Sequence, residues 1–279
     1  MGIKIALTKA KHKIFQDKRV ALIKLDGVII DSNVMPVATK IIEALREVKK
    51  QGIKSVVLRI NSPGGTVGAS QEIYSAIKEI QEDGVKVIAS FGDVAASGGV
   101  YVGVAADKIV CNSGTVTGSI GVIIRTNVVK GLYKKIGIDK QVVKSVQYKD
   151  ILSDLKYLSR DERKILEELV DSTHNEFINM VAKERNLSLE DVKKFADGRI
   201  FSGIQAKEYG LVDEIGSQRD AIKLAASLTG IKGEPHVVNM TPKKSFWHTI
   251  SKLSIDQVLE QIGVNSVTSG IPLWLMPGI

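Results

Sequence analysis

The sequence contains very little cysteine and no long apolar run. Cys111 is its one cysteine in 279 residues, which excludes an internal disulfide framework and argues against a structural zinc site. No window of about 18 apolar residues occurs, so no transmembrane helix is predicted. The first residues show no basic region followed by an uninterrupted apolar stretch, so no secretion signal is predicted either. We predict no metal and no cofactor.

Acidic residues are fewer than basic ones. The chain has 39 Lys and Arg against 31 Asp and Glu, and its formal net charge is +8. A nucleic-acid binder would concentrate that charge in a patch or stripe. Here basic and acidic residues alternate along a predicted helix, as in residues 43–50, which is typical of a solvated helix face. We therefore predict no nucleic-acid partner, while the basic surface favours peripheral contact with anionic lipid head groups.

Short β-branched runs alternate with helical patterns from residue 20 onward. Strands are predicted at residues 20–25, 55–60 and 85–90, with helices over residues 38–50 and 70–82 between them. This alternation is typical of right-handed βαβ units that build a mostly parallel sheet. Further extended segments are predicted at residues 109–112, 121–126, 140–144 and 236–239. The predicted fold class is therefore α/β with repeated βαβ units.

The second half of the chain is more helical, and its helix starts are marked. Ser159, Ser188 and Ser202 each begin a pattern that resembles a capping box, and a long amphipathic helix follows Ser159. We predict three regions along the chain. They are a basic N-terminal segment (1–18), one catalytic domain (19–230) and a C-terminal extension (231–279).

Three glycine-rich turns lie where the predicted strands end, which is where ligands bind in open α/β sheets. They are Asn61-Ser-Pro-Gly-Gly65, Ala95-Ala-Ser97-Gly-Gly99 and Thr117-Gly-Ser119-Ile-Gly121. The small neighbours of Ser97 allow a sharp turn that leaves its hydroxyl uncovered, as a nucleophile requires. The alternative is a serine that caps a helix. Gly64 and Gly65 leave backbone N–H groups open to a carbonyl oxygen, as in an oxyanion hole, although a plain turn or a phosphate cradle has similar glycines.

A serine nucleophile needs a base at neutral pH. The four histidines (His12, His174, His236 and His248) all lie outside the glycine-rich turns. Lysine is the remaining option, and its ordinary pKa of about 10.4 would have to fall by burial to about 7. Lys144, Lys149 and Lys156 lie near the end of the sheet region, and each could equally be a solvated surface lysine. These residues alone do not decide among the three.

Taken together, the turns resemble the signal peptide peptidase A family of serine peptidases, whose fold is of the crotonase and caseinolytic-protease type. The resemblance covers roughly residues 20–225. The matching motifs are Asn61-Ser-Pro-Gly-Gly65, Ala95-Ala-Ser97-Gly-Gly99, Thr117-Gly-Ser119-Ile-Gly121, Ser145-Val-Gln-Tyr-Lys149-Asp-Ile, Ala196-Asp-Gly-Arg-Ile200 and Ala206-Lys-Glu-Tyr-Gly-Leu-Val-Asp213-Glu-Ile.

The resemblance implies a serine endopeptidase with a serine–lysine dyad. Ser97 would be the nucleophile, Lys149 the general base, and Ser119 the residue that orients the lysine. The N–H groups of Gly65 and Gly98 would form the oxyanion hole. Residues expected to line the substrate are Gly64, Val67 and Val100. The small residues around the nucleophile predict a preference for small or apolar side chains.

The resemblance also implies partners and a location. The substrates would be peptides, in particular signal-peptide remnants or other apolar, membrane-associated peptides. The chain would form a bowl-shaped homo-oligomer, a tetramer or an octamer, with the active sites facing inward. Many members of the family carry an N-terminal transmembrane anchor, and this sequence departs from them in showing none. We therefore predict membrane association without a transmembrane helix, on the cytoplasmic face.

Three other functions would use the same residues differently. An acyl-CoA enzyme of the same fold would use Gly64 and Gly65 to hold a thioester, but no acidic pair lies beside the turns. A caseinolytic-protease relative would place a histidine soon after the nucleophile, and none occurs between Ser97 and His174. A catalytically silent membrane-associated scaffold would be expected to lack the serine or Lys149.

Overall fold

The computed structural model describes residues 18–33, 35–242 and 272–276. The predicted basic segment 1–18, apart from its last residue, and the part of the C-terminal extension at residues 243–271 lie outside the described residues. No helix in the described ranges is both long enough and apolar enough to cross a membrane.

An eight-stranded sheet forms the centre of the described structure. The strands of the described residues are β1 (Arg19–Asp26), β2 (Ser55–Ser62), β3 (Gly64–Thr66), β4 (Lys86–Ala96), β5 (Lys108–Cys111), β6 (Val116–Gly118), β7 (Ile200–Ser202), β8 (Glu214–Ile215), β9 (His236–Asn239) and β10 (Leu273–Leu275). Of these, β3 and β10 form a separate two-stranded pair, and the others form the main sheet. The main order is β7-β6-β4-β2-β1-β9, with β5 beside β4 and β8 beside β5. Pairing in the main sheet is parallel except between β6 and β7.

Helices cover both faces of this sheet. They are α1 (Val37–Lys50), α2 (Val67–Glu82), α3 (Gly98–Val104), α4 (Lys130–Lys135), α5 (Arg160–Arg185), α6 (Leu189–Lys193), α7 (Gly203–Glu208) and α8 (Gln218–Leu228). Alternate residues of β1 divide between the two faces. Val20 and Leu22 pack in the cluster that contains the alanines of α8, whereas Ala21 and Ile23 pack in the larger core with α1 and α2. Burial on both faces explains why the central strands are continuous apolar runs rather than alternating ones.

The α/β fold predicted from the sequence is confirmed. The strands predicted at residues 20–25, 55–60 and 85–90 correspond to β1, β2 and β4, and the helices predicted at 38–50 and 70–82 correspond to α1 and α2. The capping boxes at Ser159 and Ser202 are present, and the Ser188 side chain accepts the Asp191 N–H at the start of its own helix. The predicted extended segments at residues 121–126 and 140–144 form no strand, although Ile123 in the first of them makes an isolated antiparallel bridge with Leu273. Residues 140–144 are exposed and have no sheet edge beside them, so their β-branched side chains had no partner to stabilise a strand.

Asp213 joins three elements on the α5 side of the sheet. Its carboxylate accepts the Ile109 N–H at 2.8 Å and the Lys108 ammonium at 3.0 Å, and it lies 3.0 Å from the Arg185 guanidinium. Burial by itself would raise the pKa of Asp213, but these partners lower it below its ordinary value. The carboxylate therefore stabilises the fold only while it is ionised.

We expect Asp213→Ala to lower the free energy of unfolding by about 2–4 kcal/mol, because it leaves Arg185 and the Ile109 N–H without their partner. A carboxyl group whose folded pKa is depressed contributes stability above its unfolded pKa and loses it as the pH falls through the folded pKa. Urea unfolding from neutral pH into the acid range should thus show a shallower acid loss in Asp213→Asn than in the wild type. Asp83→Asn, at an exposed ion pair with Lys49, is the control and should change little.

Candidate active site

Ser97 occupies the turn between the end of β4 and the start of α3. Its φ of 52° is positive, which is rare for a residue other than glycine and costs about 1–3 kcal/mol of strain. Ser97 is fully buried, and its Oγ has no hydrogen-bond partner among the described residues. Its N–H donates to the Gly118 carbonyl at 2.8 Å, and its carbonyl accepts the Tyr101 N–H at 3.0 Å. The backbone therefore holds an uncommitted hydroxyl in a strained turn.

Ser119 lies beside Ser97 across a parallel strand pair. Ala96 and Gly118 are register partners in β4 and β6, so the two serines are the next residues along their strands. Ser119 also has a φ of 52°, is buried, and donates its N–H to the Arg199 carbonyl at 2.7 Å. The structure brings these two predicted site residues together. It also explains the Ala196-Asp-Gly-Arg motif, whose Arg199 carbonyl supports the Ser119 turn.

The glycines of β3 and α3 converge beside the nucleophile. Gly64 has a φ of 105°, and a Cβ placed on it would overlap the Trp274 carbonyl oxygen and lie 2.8 Å from the Gly98 nitrogen. A Cβ on Gly98 would lie 3.1 Å from both the Gly65 nitrogen and the Trp274 oxygen. The N–H groups of Gly65 and Gly98, which are predicted to bind an oxyanion, thus lie in the neighbourhood of the Trp274 carbonyl oxygen. Any side chain at these glycines would fill that space.

Two residues of the same motif position this loop, and sequence reasoning gave them no individual role. The Asn61 side-chain oxygen accepts the Val94 N–H at 3.1 Å, where the register of β2 against β4 shifts. The Ser62 hydroxyl accepts the Gly64 N–H at 3.1 Å. These side chains set the distance between the β3 loop and the end of β4. The sequence signal for this role was that Asn61 and Ser62 lie in the same short motif as Gly64 and Gly65.

The three candidate lysines differ in their surroundings. Lys144 and Lys156 both form ion pairs with Asp150, and Lys156 also binds Glu162 at 2.5 Å. The hydrogen bonds that the Lys156 ammonium donates to Glu162 and Asp150 raise the pKa of Lys156, so the group stays protonated at neutral pH and has no free lone pair to accept a proton. Lys149 is exposed and forms no ion pair with any described residue. Because the Ser97 Oγ has no partner, the single chain does not bring Lys149 onto the nucleophile.

The remaining chemistry-bearing residues stay outside the site. Ring nitrogen Nε2 of His174 lies 2.8 Å from the Ala196 carbonyl oxygen, on half-buried helix α5. Cys111 is buried, as its apolar sequence neighbours predict, and burial raises the pKa of its thiol to about 11. The described residues contain no cluster of three or more His, Cys, Asp or Glu that could hold a metal ion.

The predicted substrate-lining residues Val67 and Val100 lie in the first turns of α2 and α3. Val100 is fully buried and Val67 is partly buried against the same core. Two neighbours were missed: Tyr101, one residue further along α3, and Trp274 of β10, which stacks on Tyr101 with ring centroids 4.1 Å apart. The apolar composition of residues 270–279 signalled that the tail packs somewhere, but not where.

The serine with the positive φ lies at the end of a parallel strand, in a fold of the ClpP-like class. A ClpP1 variant of Listeria monocytogenes has this fold, with a TM-score of 0.50 and 20% identity over 76% of this chain and 99% of its own. The model of Clp protease matches residues 10–114, and that of peptidase family S49 matches residues 79–232. The chain belongs to peptidase family S49 and is a protease.

Several relatives are similar over most of the chain. A candidate protease of Synechocystis is 42% identical over 92% of this chain and 96% of its own. A candidate signal peptide peptidase SppA of Enterococcus faecium is 36% identical over 74% of this chain and 62% of its own. The chloroplastic serine protease SPPA of Arabidopsis thaliana is 34% identical over 70% of this chain, but only 29% of that protein is matched. The chain thus spans less than two thirds of the latter two relatives.

Proposed function

We propose that the protein is a serine endopeptidase in which Ser97 is the nucleophile and Lys149 the general base. The observation that carries the proposal is the buried Ser97 Oγ, which has no hydrogen-bond partner among the described residues. The next residue in the chain is Gly98, and a Cβ placed on Gly98 would lie 3.1 Å from the Gly65 nitrogen. A buried hydroxyl without a partner is costly, so its retention favours a chemical role over a structural one. Its strained φ agrees with that role, since such strain clusters at active sites.

The reaction follows from these groups. Ser97 Oγ attacks the carbonyl carbon of an extended peptide, and its proton passes to the neutral amine of Lys149. The oxyanion that forms is stabilised by the N–H groups of Gly65 and Gly98. Collapse expels the amine product, which takes the proton from Lys149, and leaves an acyl group on Ser97. Water, activated by the same lysine, then releases the acyl product. Ser119 orients the lysine throughout.

We propose that the chain works as a homo-oligomer in which Lys149 reaches Ser97. The segment around Lys149 exposes an unusual number of apolar side chains for a solvated surface. They are Leu132, Ile136, Ile138, Val142, Val143, Val146 and Tyr157. A neighbouring copy that covers them would exclude water from Lys149 and complete the site between subunits. A tetramer or octamer shaped as a bowl meets that requirement and admits only extended peptides.

Apolar, membrane-associated peptides such as signal-peptide remnants are the proposed substrates. Peripheral contact with the cytoplasmic face of the membrane, through the basic surface, would bring the enzyme to them. Support for the substrate class comes from the apolar walls near the glycines, where Val100 and Tyr101 are buried. Support for membrane contact is the net charge of +8.

We expect Lys149→Ala to lower kcat/KM for casein or an apolar peptide by about a thousandfold or more, since no other base serves Ser97. Lys144→Ala is the matched control and should keep most of the activity. Near-full activity of Lys149→Ala would contradict the dyad.

Coexpression of Ser97→Ala with Lys149→Ala tests where the lysine comes from. If Lys149 serves a neighbouring subunit, mixed oligomers contain some sites with both groups intact, and part of the activity returns. If each chain uses its own lysine, the mixture stays inactive. The control is each variant expressed alone, together with its oligomeric state by light scattering.

A further inference from the structure

The stretch of chain that carries Lys149 has no regular structure to hold it in place. Residues 136–159 form neither a helix nor a strand, and residues 140–149 are all exposed. The part around the lysine, residues 144–156, is called the lysine segment below. Because this segment contributes no side chain to the hydrophobic core, its position depends on polar contacts.

A chain of ion pairs connects the lysine segment to the first turn of helix α5. The Asp150 carboxylate accepts hydrogen bonds from the Lys144 ammonium at 2.8 Å and from the Lys156 ammonium at 3.0 Å. The Lys156 ammonium also donates to Glu162 at 2.5 Å. Glu162 is only 3% exposed, and its second carboxylate oxygen accepts the Ser159 N–H at 2.9 Å. The segment is therefore tied to the capping box that begins α5.

Both carboxylates of this chain are charged at neutral pH. The hydrogen bonds from Lys144 and Lys156 lower the pKa of Asp150 to about 2, and the bond from Lys156 lowers the pKa of Glu162. Charge-assisted hydrogen bonds are stronger than neutral ones, and linked ion pairs hold a geometry better than isolated surface pairs do. Asp150 directly follows Lys149 in the sequence, and its engagement with two other lysines leaves the Lys149 ammonium free to reach a serine.

Helix α5 carries the lysine segment away from the core of its own chain. Phe177 and Val181 of α5 pack in the core, whereas Ile165 and Leu169 nearer the start of the helix are exposed. Continuous helix spans about 22 Å between Glu162 and Phe177, at about 1.5 Å per residue. A helix is stiff over such a length, so α5 supports the segment at the place where a neighbouring copy would receive it.

We propose that Asp150, Lys156 and Glu162 are positioning residues for the proposed general base. They fix the lysine segment to α5, so that Lys149 keeps one position relative to the nucleophile of the neighbouring subunit. This inference rests on the proposed function. Lys144 adds a second partner to Asp150 but does not reach α5, so its removal leaves the connection intact.

The kinetics of Asp150→Asn test this role. We expect kcat for an apolar peptide to fall by about tenfold to a hundredfold, because a small displacement of a catalytic group has a large effect on rate. KM should change by less than about twofold, since no group near the glycine-rich turns is altered. The matched control is Asp83→Asn, the same chemical change at the exposed ion pair with Lys49, which should leave both constants unchanged.

A double-mutant cycle with Lys149→Ala separates positioning from a general structural role. The readout is the rate at which a fluorophosphonate probe labels Ser97. Asp150→Asn should slow labelling about tenfold or more in the wild-type chain and cause no further loss in Lys149→Ala, because it acts only through the lysine. Similar slowing in both backgrounds, or loss of the oligomer by light scattering, would make the ion pairs structural and overturn the proposal.

The remaining outcomes distinguish this inference from the proposed function. If Lys149→Ala is inactive while Asp150→Asn behaves like Asp83→Asn, the positioning role is wrong and the dyad stands. Full activity of Lys149→Ala would reject the general base and the positioning role with it. If Asp150→Asn does not fold, as judged by circular dichroism, Lys156→Gln breaks the same connection from its other partner and is measured in the same way.

Discussion

Ser97→Ala is expected to lower kcat/KM by about four to six orders of magnitude while the fold stays intact, because no other group in the site can form the acyl intermediate. Its effect on stability has an unusual sign. The Ser97 Oγ is buried without a partner, so its removal breaks no hydrogen bond and relieves a desolvated polar group. We expect the variant to be as stable as the wild type or up to about 2 kcal/mol more stable. Peptide cleavage and thermal unfolding, measured on the same preparation, check both parts.

A matched control for this change is Ser55→Ala. Ser55 is also fully buried, but it lies 3.4 Å from the Thr229 hydroxyl, away from the glycine-rich turns. It should keep full activity and lose at most about 1 kcal/mol of stability. A Ser97→Ala variant that retains activity, or that loses it only together with the fold, would argue against a nucleophilic role.

Gly65→Ala is expected to have the second largest effect. Its Cβ would overlap the Ile29 carbonyl oxygen and come 2.7 Å from the Ile29 Cα, and backbone atoms cannot rotate away as a side chain can. β3 must therefore shift, which moves the Gly65 N–H from the oxyanion position. We expect kcat/KM to fall by about a hundredfold to a thousandfold, as for the loss of one oxyanion donor. The free energy of unfolding should fall by about 1–3 kcal/mol.

Gly68→Ala separates this geometric effect from a general intolerance of the loop. Gly68 lies three residues further on, inside α2, and a Cβ there meets nothing within 4 Å. The change should leave the activity intact and stabilise the helix by up to about 1 kcal/mol. Similar losses in Gly65→Ala and Gly68→Ala would contradict the role given to the Gly65 N–H. The comparison uses peptide kinetics and urea unfolding.

Local signals predicted most of the sheet and the turn that holds Ser97, the proposed nucleophile. Strands such as β2 are apolar over their whole length, and the small residues around Ser97 are visible without any structure. The β3 strand was not predicted, because two of its three residues are glycine, which disfavours strands, and its partner β10 lies more than 200 residues away. Pairing between distant segments depends on tertiary packing, which no local window contains.

The general base could not be chosen from local sequence signals. Lys149 was chosen because its motif resembles a family, not because its neighbours in sequence favour it. In the single chain Lys149 is solvent-exposed. Lys144 and Lys156, the other two candidate bases, both pair with carboxylates. The surroundings that would tune a catalytic lysine come from residues distant in sequence or from another copy. The dyad therefore stays a prediction until the lysine variants are measured.

The Ser119 turn is held by the Arg199 carbonyl, and the glycines beside Ser97 are paired with residues 273–275. Both supports are synthesised long after the nucleophile leaves the ribosome. Such long-range contacts form late in folding, because the entropy of closing large loops must be overcome first. A growing chain consequently exposes Ser97 before the Arg199 carbonyl and residues 273–275 are in place. The geometry of the candidate site is therefore completed only after segments far along the chain have folded back onto it.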